Sequence, residues 1–551
     1  MKIKILGVFC LLACFSVNSF AGENFVDRFL ARYKPMGEPT KPTPAELPPD
    51  ALSSFIRNEE IPISVSDLMA LTLRNNLDIG VDRLTPLSTE IAIESFYRPF
   101  DPTLKFAGNL NHGTTPTASV LSGGESINQF ISNITAGWSK YTPTGTTYSV
   151  DVALVRSSTN SVFSTFNPSW TTSVSYSASQ HLLKGFGKKI NTNQLKVLQN
   201  NLGISHIQLE RQVIDLLTQA EKTYWDLVFT YEDLKVKQRS IDLAQKTLSD
   251  NRIQVDAGAM ASADLVQSET EVATREEDLI NTRYNQVQVS DQVKKYVTNG
   301  TDPGLVLVRI APTQPVPRPM PDDVMPVQKA VEYALENRAE LRESDLQLRN
   351  RDLNVEYAKN QLLPSLDVSL GYTASGLGGF QTLRSGFGSD SVVISTTPGG
   401  IGGAVGQVLR NEFRGYNFQF NLQIPLSNRA AQSDYSRALL DKRTEENHLS
   451  SLSQSIALEV RNAITQVQMS SARIDAARKV RELSERKLEF EQRKYDLGAS
   501  TIRFVIEEQR NVMQAQTDEV AAMVNYAKAL VDYRRAIGDT LKKNGVDLER
   551  D

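Results

Sequence analysis

Apolar residues recur along this chain with two different spacings, and each spacing predicts its own kind of element. In "YNFQFNLQIPL", apolar and polar side chains alternate strictly from Tyr416 to Ile424. The segments 148–154, 170–179 and 365–372 alternate in the same way. Because successive side chains of a strand point to opposite faces, these segments predict strands with one apolar and one polar face.

Two long tracts instead have the 4-3 spacing of packed helices. From Val512 one such series passes through two polar positions, and from Met523 to Ile537 every position is apolar or aromatic, which predicts a coiled-coil seam. The tract 194–256 carries two adjacent seams, one through Val213 and the other through Leu217, which predicts neighbours on both sides. At ~1.5 Å per residue this tract would extend roughly 95 Å.

Each helical tract is interrupted once by a glycine beside small residues, Gly258 in "VDAGAMASADLVQSE" and Gly498 in "YDLGASTIRFVIEEQ". Glycine adopts left-handed backbone conformations at little cost, so both breaks predict the turn of a helical hairpin. An offset of 240 superimposes the two glycines, and an offset of 262 matches 72–79 to 334–341. The chain therefore reads as two internal repeats of one plan: short helix, β segment, long helix, break, long helix.

The two predicted β regions differ in size. Four strand-like stretches lie near 103–112, 129–140, 145–157 and 168–182, whereas the second region has two strands separated by a glycine-rich stretch. Ten-residue segments of this alternation are typical of a transmembrane β-barrel with a watery lumen, and also of a soluble sandwich. The aromatic residues on the apolar faces favour the barrel. The extra hairpin either extends outside the membrane, which we favour, or widens the barrel, so the strand count stays open.

The amino terminus has the pattern of a secretory signal peptide ending at Ala21, with Lys2 and Lys4 before an apolar run. Both cysteines of the 551-residue chain, Cys10 and Cys14, lie inside it. An alternative is lipoprotein processing at "LLAC", which would keep Cys14 as a lipid anchor. Downstream, no uncharged apolar run of ~18 residues occurs, so no transmembrane helix is predicted.

Composition argues against catalysis and nucleic-acid binding. The net charge is −4, so no basic footprint for nucleic acid is expected. The four histidines have no partner at metal-ligand spacing, and no P-loop, G-x-S-x-G or H-E-x-x-H motif occurs. The sequence predicts no enzyme, no cofactor and no metal site.

Several phrases, in this order and spacing, resemble the TolC-like outer membrane efflux protein family. They are "SQHLLKGFG" (179–187), "LLPSLDVSLGY" (362–372), "IPLSNRAAQSDYSRA" (424–438) and the two glycine breaks, and the resemblance runs from about 62 to 540. It implies a mixed α+β, mostly α fold: a trimeric transmembrane β-barrel continued by a long periplasmic α-helical coiled-coil barrel, built from the two repeats.

The resemblance also implies a function and partners. The homotrimer would be the exit duct of a tripartite efflux or type I secretion system in the outer membrane of a Gram-negative bacterium, extending into the periplasm. Its partners would be outer-membrane lipid, a periplasmic adaptor (membrane fusion) protein and an inner-membrane pump of proton-driven or ABC type. The alternative is a non-conducting structural or adhesive coiled-coil protein that spans the periplasm.

Pattern and resemblance together divide the chain into segments. In order, these are a signal peptide (1–21), a proline-rich segment (22–61), equatorial and ascending helices (62–101), strands (102–184), a long helical hairpin with its tip at 256–264 (185–298), a linker (299–326), equatorial and ascending helices (327–363), strands (364–427), a second long hairpin with its tip at 496–504 (428–540) and a polar tail (541–551).

By resemblance, the two tip turns are where adaptors dock and where the tunnel narrows. The docking residues would be Gly258, Ala259, Gly498, Ala499, Ser500 and Thr501, and the constriction residues Asp264, Tyr495, Phe504 and Glu507. In the family, the residues matching Tyr495 and Asp264 can hydrogen-bond across neighbouring hairpins and hold the tip closed.

The sequence departs from the family at two tip positions. Ser500 stands where a basic residue is expected, and Phe504 stands where an acid is expected; Arg503 lies nearby but out of register. A ring of Glu507 carboxylates would disfavour anions in a narrow mouth. The alternative is that Glu507 is a solvated surface charge. We expect a tip held shut more by packing than by ion pairs.

Overall fold

The computed structural model of the chain describes residue 33 and residues 60–117, 125–258, 260–298, 308–386 and 392–545. The signal peptide, nearly all of the proline-rich segment, Ala259, the first part of the linker and most of the polar tail lie outside these ranges. The described part is mostly helical.

Four helices dominate the molecule, paired into two hairpins. We call α5 (Asn193–Asp256, 64 residues) with α6 (Ser262–Val297, 36 residues) hairpin 1, and α10 (Arg429–Asp496, 68 residues) with α11 (Ile502–Ile537, 36 residues) hairpin 2. The shorter helices are α1 (Val65–Asn75), α2 (Leu77–Asp82), α3 (Leu84–Phe96), α4 (Lys188–Asn191), α7 (Val327–Asn337), α8 (Ala339–Gln361), α9 (Ile401–Leu409) and α12 (Thr540–Lys543).

The strands form one small and one large sheet. The small sheet pairs β1 (Glu60–Ile63) in parallel with β6 (Arg309–Pro312). The large antiparallel sheet has the order β2-β3-β4-β5-β7, and β8 and β9 pair with different parts of β7. Its strands are β2 (Thr103–Pro116), β3 (Ser126–Tyr141), β4 (Thr146–Thr159), β5 (Phe166–His181), β7 (Ser365–Ser385), β8 (Val392–Thr397) and β9 (Phe413–Gln423).

The first β region has its four strands where the alternation predicts them. The second region differs, because it has three described strands rather than two and includes α9 within the glycine-rich stretch. Ala404 of α9 is fully buried against Gly376, where an added Cβ would lie 2.0 Å from the Ala404 carbonyl oxygen. The glycines are therefore a close-packing surface for a helix, which period-2 alternation does not detect.

The register of the large sheet gathers its apolar side chains on one face. A single row across the sheet pairs Leu104, Trp138, Val150, Tyr176, Tyr372 and Tyr416 in succession. The Tyr176–Tyr372 and Tyr372–Tyr416 ring centroids are 6.3 and 5.4 Å apart. On the opposite face, hydroxyl groups bond across strands, as in Ser149–Ser177 and Ser369–Ser179, both at 2.8 Å.

The helices pack around two apolar clusters midway along the hairpins. The first cluster joins α1, α5, α6 and the small sheet, and includes Leu68, Leu217 and Tyr224. The second joins α7, α10 and α11 around Val460 and Tyr526. The predicted seams are buried at Leu530, Tyr533 and Ile537 on α11, and on α5 both seams are buried between Leu217 and Val228.

Polar side chains fix the first cluster to the small sheet. The Tyr224 hydroxyl donates to the Ile63 carbonyl oxygen and accepts from the Gln314 amide, both at 3.1 Å. The Tyr231 hydroxyl donates to the Ile310 carbonyl oxygen at 3.0 Å, and burial raises the pKa of Tyr231 to about 12.

Within the described ranges, no helix is long and apolar enough to cross a membrane.

Candidate gate at the hairpin tips

The two hairpin turns lie side by side at the end of the molecule farthest from the large sheet. Gly258 has φ +73° and Gly498 has φ +72°, values that side chains with a Cβ rarely adopt. No atom lies within 4 Å of a Cβ built on either glycine, so the backbone conformation alone requires them. Ala499 and Thr501 follow the second glycine, and Thr501 precedes α11 in an extended conformation.

A cleft of about 370 Å³ separates the two turns. It is lined from both hairpins by Gln254, Met260, Ala261, Asp264, Tyr495, Asp496, Gly498, Ser500, Thr501 and Ile502. Beneath it, Ile502, Val505 and Ile506 are buried against Met260, Leu488 and Tyr495. The structure therefore brings the predicted residues Asp264, Tyr495, Gly498, Ser500 and Thr501 to one place.

Tyr495 is one of the polar links between the hairpins, but its partners within this chain differ from the expected one. Its hydroxyl lies 2.9 Å from the Gln254 side-chain oxygen and 3.2 Å from that of Asn251, and it does not bond Asp264 within this chain. The Asn251 amide is buried and donates to Ser268 at 2.8 Å, which extends the link to α6. Burial raises the pKa of the Tyr495 phenol.

Asp264 has a different local role. It lies in the first turn of α6, where its carboxylate faces the positive end of the helix dipole. The phenol has one proton to donate, and the amide oxygens of α5 are the groups within reach. The expected Tyr495–Asp264 bond is therefore replaced, inside this chain, by the bonds from Tyr495 to α5.

Ser500 closes the second turn on itself. Its hydroxyl donates to the Glu491 carboxylate, which also accepts from Lys494 at 3.0 Å. The hydrogen bond from Ser500 is the main cause that holds the pKa of Glu491 below its usual range, and the hydrogen bond from Lys494 is the second. The polar group at this position thus bonds within hairpin 2 and makes no bond to hairpin 1.

Phe504 and Glu507 lie on the exposed face of α11, opposite the buried Val505 and Ile506. The Phe504 side chain is 48% exposed, and the Arg503 guanidinium carbon lies 5.7 Å from its ring centroid. Glu507 is exposed and forms no ion pair with any described residue. Both side chains are therefore free to face a neighbouring molecule or an aqueous space.

Sequence reasoning missed an ionic link between the hairpins, built on a buried glutamate. Glu271 and Arg275 on α6 are almost fully buried and lie 2.5 Å apart, and Arg510 of α11 donates to Glu271 at 2.6 Å. The Arg275 guanidinium also contacts the Met513 sulfur of α11 at 2.6 Å. The available signal was an acid and a base four residues apart at positions where the helix faces a neighbour.

The ion pairs continue along the hairpins away from the tip. Lys487 bonds Glu508 at 2.5 Å within hairpin 2, and Arg481 bonds Glu519 at 2.5 Å. No group of three or more His, Cys, Asp or Glu in the described ranges could hold a metal ion. The tip is therefore an assembly of turns, packing and ion pairs.

Two long helical hairpins attached to an antiparallel sheet, with a polar cleft between their turns, define the fold of this chain. The fold is shared with CusC (TM-score 0.60, 14% identity, 92% of this chain and 99% of that chain). It is shared with the outer membrane channel CmeC of Campylobacter jejuni (TM-score 0.59, 15% identity, 94% and 96%). VceC of Vibrio cholerae is similar too (TM-score 0.58, 12% identity, 86% and 96%).

Residues 330–539 match the family model of outer membrane efflux proteins. The match covers about two fifths of the chain, and the resemblance indicated by the sequence motifs is confirmed. No curated protein matches the sequence.

Proposed function

We propose that this chain is the protomer of a homotrimeric outer-membrane exit duct, in which the large sheets of the copies close one β-barrel and the hairpins form a tunnel through the periplasm. The segments predicted from the sequence, with their two-repeat plan, then become the parts of this duct. An adaptor protein docks on the tip turns, and an inner-membrane pump of proton-driven or ABC type delivers the cargo.

The observation that carries this proposal is that, among the described residues, the long edge strands β2 and β9 of the large sheet have no partner on their outer sides. Both strands are exposed along their whole length, and both carry large apolar side chains such as Phe106, 74% exposed, and Phe418, 69% exposed. Long, exposed apolar edges are rare in stable proteins, because they pair with other chains. Closure between copies satisfies both edges at once and leaves the apolar face outward, as lipid requires.

The opposite face of the sheet suits a watery lumen. Serine, threonine, asparagine and glutamine predominate on it along β5, β7 and β9, and hydroxyl groups bond across strands there. A non-conducting structural protein would be expected to fill a barrel of this kind with bulky side chains. The polar face therefore favours conduction over the structural or adhesive alternative.

At the other end, the tip residues act as a gate. Tyr495, the buried core around Val505 and the Glu271–Arg510 link hold hairpin 2 against hairpin 1 in a closed arrangement. Phe504 and Glu507, on the exposed face of α11, then line the constriction. A Glu507 ring on the channel axis favours cations, because like-signed charge there repels anions.

Edge closure is tested by cysteine crosslinking. Leu104→Cys on β2 is combined in turn with Phe418→Cys, Phe420→Cys and Leu422→Cys on β9, in cells and under mild oxidation. We expect one pair to give covalent dimers and trimers on denaturing gels. Val150→Cys on the central strand β4 replaces Leu104→Cys in the matched control and should give none, because both sides of β4 are paired within the chain.

Conduction is tested with purified protein in planar bilayers. We expect discrete cation-selective conductance, with selectivity reduced in Glu507→Gln and unchanged in Glu276→Gln, an exposed glutamate of hairpin 1 without an ion pair among the described residues. Covalent trimers without any conductance would favour the structural alternative. The absence of both covalent oligomers and conductance would refute the proposed duct.

A further inference from the structure

Arg156 lies on the apolar face of the large sheet. On β4 the outward positions are Tyr148, Val150, Val152, Leu154 and Arg156, on the same face as the aromatic row that includes Tyr176. The Arg156 guanidinium carbon is 5.7 Å from the ring centroids of both Phe130 and Trp170, which flank it on the neighbouring strands. An arginine held between two aromatic rings on a largely apolar face requires an explanation.

The position of Arg156 along β4 provides the first part of that explanation. The segment from Tyr148 to Arg156 has the length, about 9–11 residues, with which a tilted strand crosses a bilayer. Tyr148 is at the end of β4 nearest the helices, and Arg156 is at the far end. In the proposed duct, Arg156 therefore lies where the apolar belt meets the external face of the membrane, while Lys140, paired with Tyr148, marks the opposite boundary.

A second basic residue marks the same boundary on another strand. Arg414 is outward on β9, in the row of Ala374, Val174 and Val152, four positions along β4 from Arg156. The strands β4 and β9 are three strand spacings apart, or about 14 Å. If strands tilt by about 40°, positions at equal depth on these two strands differ in register by about 12 Å, or about four residues. The register difference thus has the size expected if both arginines lie at one depth in the membrane.

The guanidinium of Arg156 is half-buried and has its donors available. Among the described residues, no carboxylate lies within ion-pair distance of it and no side-chain hydrogen bond engages it. Stacking between rings holds the plane of the group but leaves the N–H groups at its edge free. Beyond Trp170, the paired Gly378 is covered by α9, which walls that side of the site.

We propose that Arg156, held between Phe130 and Trp170, binds the phosphate of a lipid headgroup in the external leaflet. This inference rests on the proposed membrane duct and adds a lipid site to its outer surface. A planar, weakly hydrated guanidinium binds phosphate with two parallel hydrogen bonds, which a lysine at the same place does not reproduce. The rings on either side offer apolar surface to the sugar or acyl part of the same lipid.

The test measures lipid binding to the detergent-purified oligomer by native mass spectrometry. The probes are a phosphorylated glucosamine-based glycolipid, the same lipid without phosphate, and inorganic phosphate as competitor. We expect the phosphorylated lipid to bind wild-type protein and its affinity to fall about tenfold in Arg156→Gln, the usual size of one charge-assisted interaction. Lys140→Gln, with the same charge change at the opposite boundary, should leave the affinity within about twofold.

The controls separate the alternatives. Equal binding by wild type and Arg156→Gln, equal binding of the dephosphorylated lipid, or displacement by millimolar phosphate would each overturn the lipid site; displacement by phosphate would indicate a free-anion site. If Arg156→Gln does not assemble, Trp170→Leu, which keeps the charge but removes one ring, should weaken binding in its place. If the protein conducts but does not bind the phosphorylated lipid in preference to the dephosphorylated one, only the lipid site is overturned. If the protein never enters a bilayer, the duct is overturned as well.

Discussion

The middle of the molecule and the hairpin tip are both places where hairpin 1 meets other elements, but different forces stabilise them. In the middle, Leu217 and Tyr224 of one apolar cluster and Val460 and Tyr526 of the other are almost fully buried. At the tip, the apolar core is small, and one tyrosine and a few ion pairs supply the remaining contacts. Burial of a large apolar area gives an interface a large stabilising free energy. A few polar bonds contribute little net free energy, because they can be exchanged for bonds to water or to other groups.

The difference matches what a gated duct requires. The region that holds the duct together must stay folded during every transport cycle. The region that opens must have low local stability. The predictions that follow test this contrast, from the largest expected effect to the smallest.

The largest effect is expected in the middle. Tyr224→Ala removes a fully buried aromatic side chain and its bonds to Ile63 and Gln314. We expect the free energy of unfolding to fall by about 3–5 kcal/mol, measured by denaturant titration. Tyr224→Phe keeps the ring and should lose only about 1 kcal/mol. If Tyr224→Ala also lowered the free energy of unfolding by only about 1 kcal/mol, the middle would not be the stable region.

The next effect is expected at the buried ionic link. Glu271→Gln leaves Arg275 almost fully buried beside a neutral partner and removes the acceptor charge for Arg510. Breaking such a pair costs about 3 kcal/mol. We expect this cost to appear as faster amide hydrogen exchange in α6 and α11 near the link, with little change around Tyr224.

The matched control for this link is the exposed Glu276→Gln on the same helix, which should leave exchange unchanged. Equal acceleration of exchange in the tip and in the middle would remove the contrast between the two regions. It would mean that the molecule opens as a single cooperative unit.

A smaller effect is expected at Tyr495. Tyr495→Phe keeps the ring in the tip core but removes the bonds to Gln254 and Asn251. The contact between the hairpins should weaken by about 1 kcal/mol, and the melting temperature should hardly change. In planar bilayers we expect the open probability to rise. Asp264→Asn, which removes no bond to Tyr495 in this structure, should have less effect on opening.

The sequence predicted the elements better than their contacts, for physical reasons. Helices and strands follow local periodicity, so the hairpins, their glycine turns and the four strands between 103 and 182 could be predicted from spacing alone. The α9 helix could not, because its glycine-rich sequence forms a helix only through packing on Gly376.

The tip contacts were harder to predict, since they depend on which side chains of separate helices come within hydrogen-bond distance. Resemblance placed Tyr495 beside Asp264, and the structure does bring both to one cleft. The Tyr495 hydroxyl nevertheless contacts the side-chain amides of Asn251 and Gln254, which lie in the last two turns of α5. The Glu271–Arg510 link joins residues far apart in the chain and was missed for the same reason.

The smallest effect is expected at Ser500, and it depends on pH. The Ser500 hydrogen bond is the main cause that holds the pKa of Glu491 below its ordinary value of 4.5, with Lys494 second. A depressed carboxyl pKa stabilises the folded turn above the unfolded pKa, and this contribution is lost as the pH falls through the folded value. Ser500→Ala should therefore raise the pKa of Glu491 toward 4.5, as measured by NMR titration of a side-chain-labelled protein.

Above pH 6, Ser500→Ala should leave the contact between the hairpins unchanged, because Ser500 bonds within hairpin 2 alone. An increase in open probability at neutral pH, as large as that of Tyr495→Phe, would show that this serine also couples the hairpins. The position where the family resemblance predicts a basic residue would then take part in closing the tip, and the gate would depend on polar contacts at both turns. An unchanged open probability would leave Tyr495, the small apolar core, the Glu271 link and the Gln509–Thr247 hydrogen bond as contacts that close it.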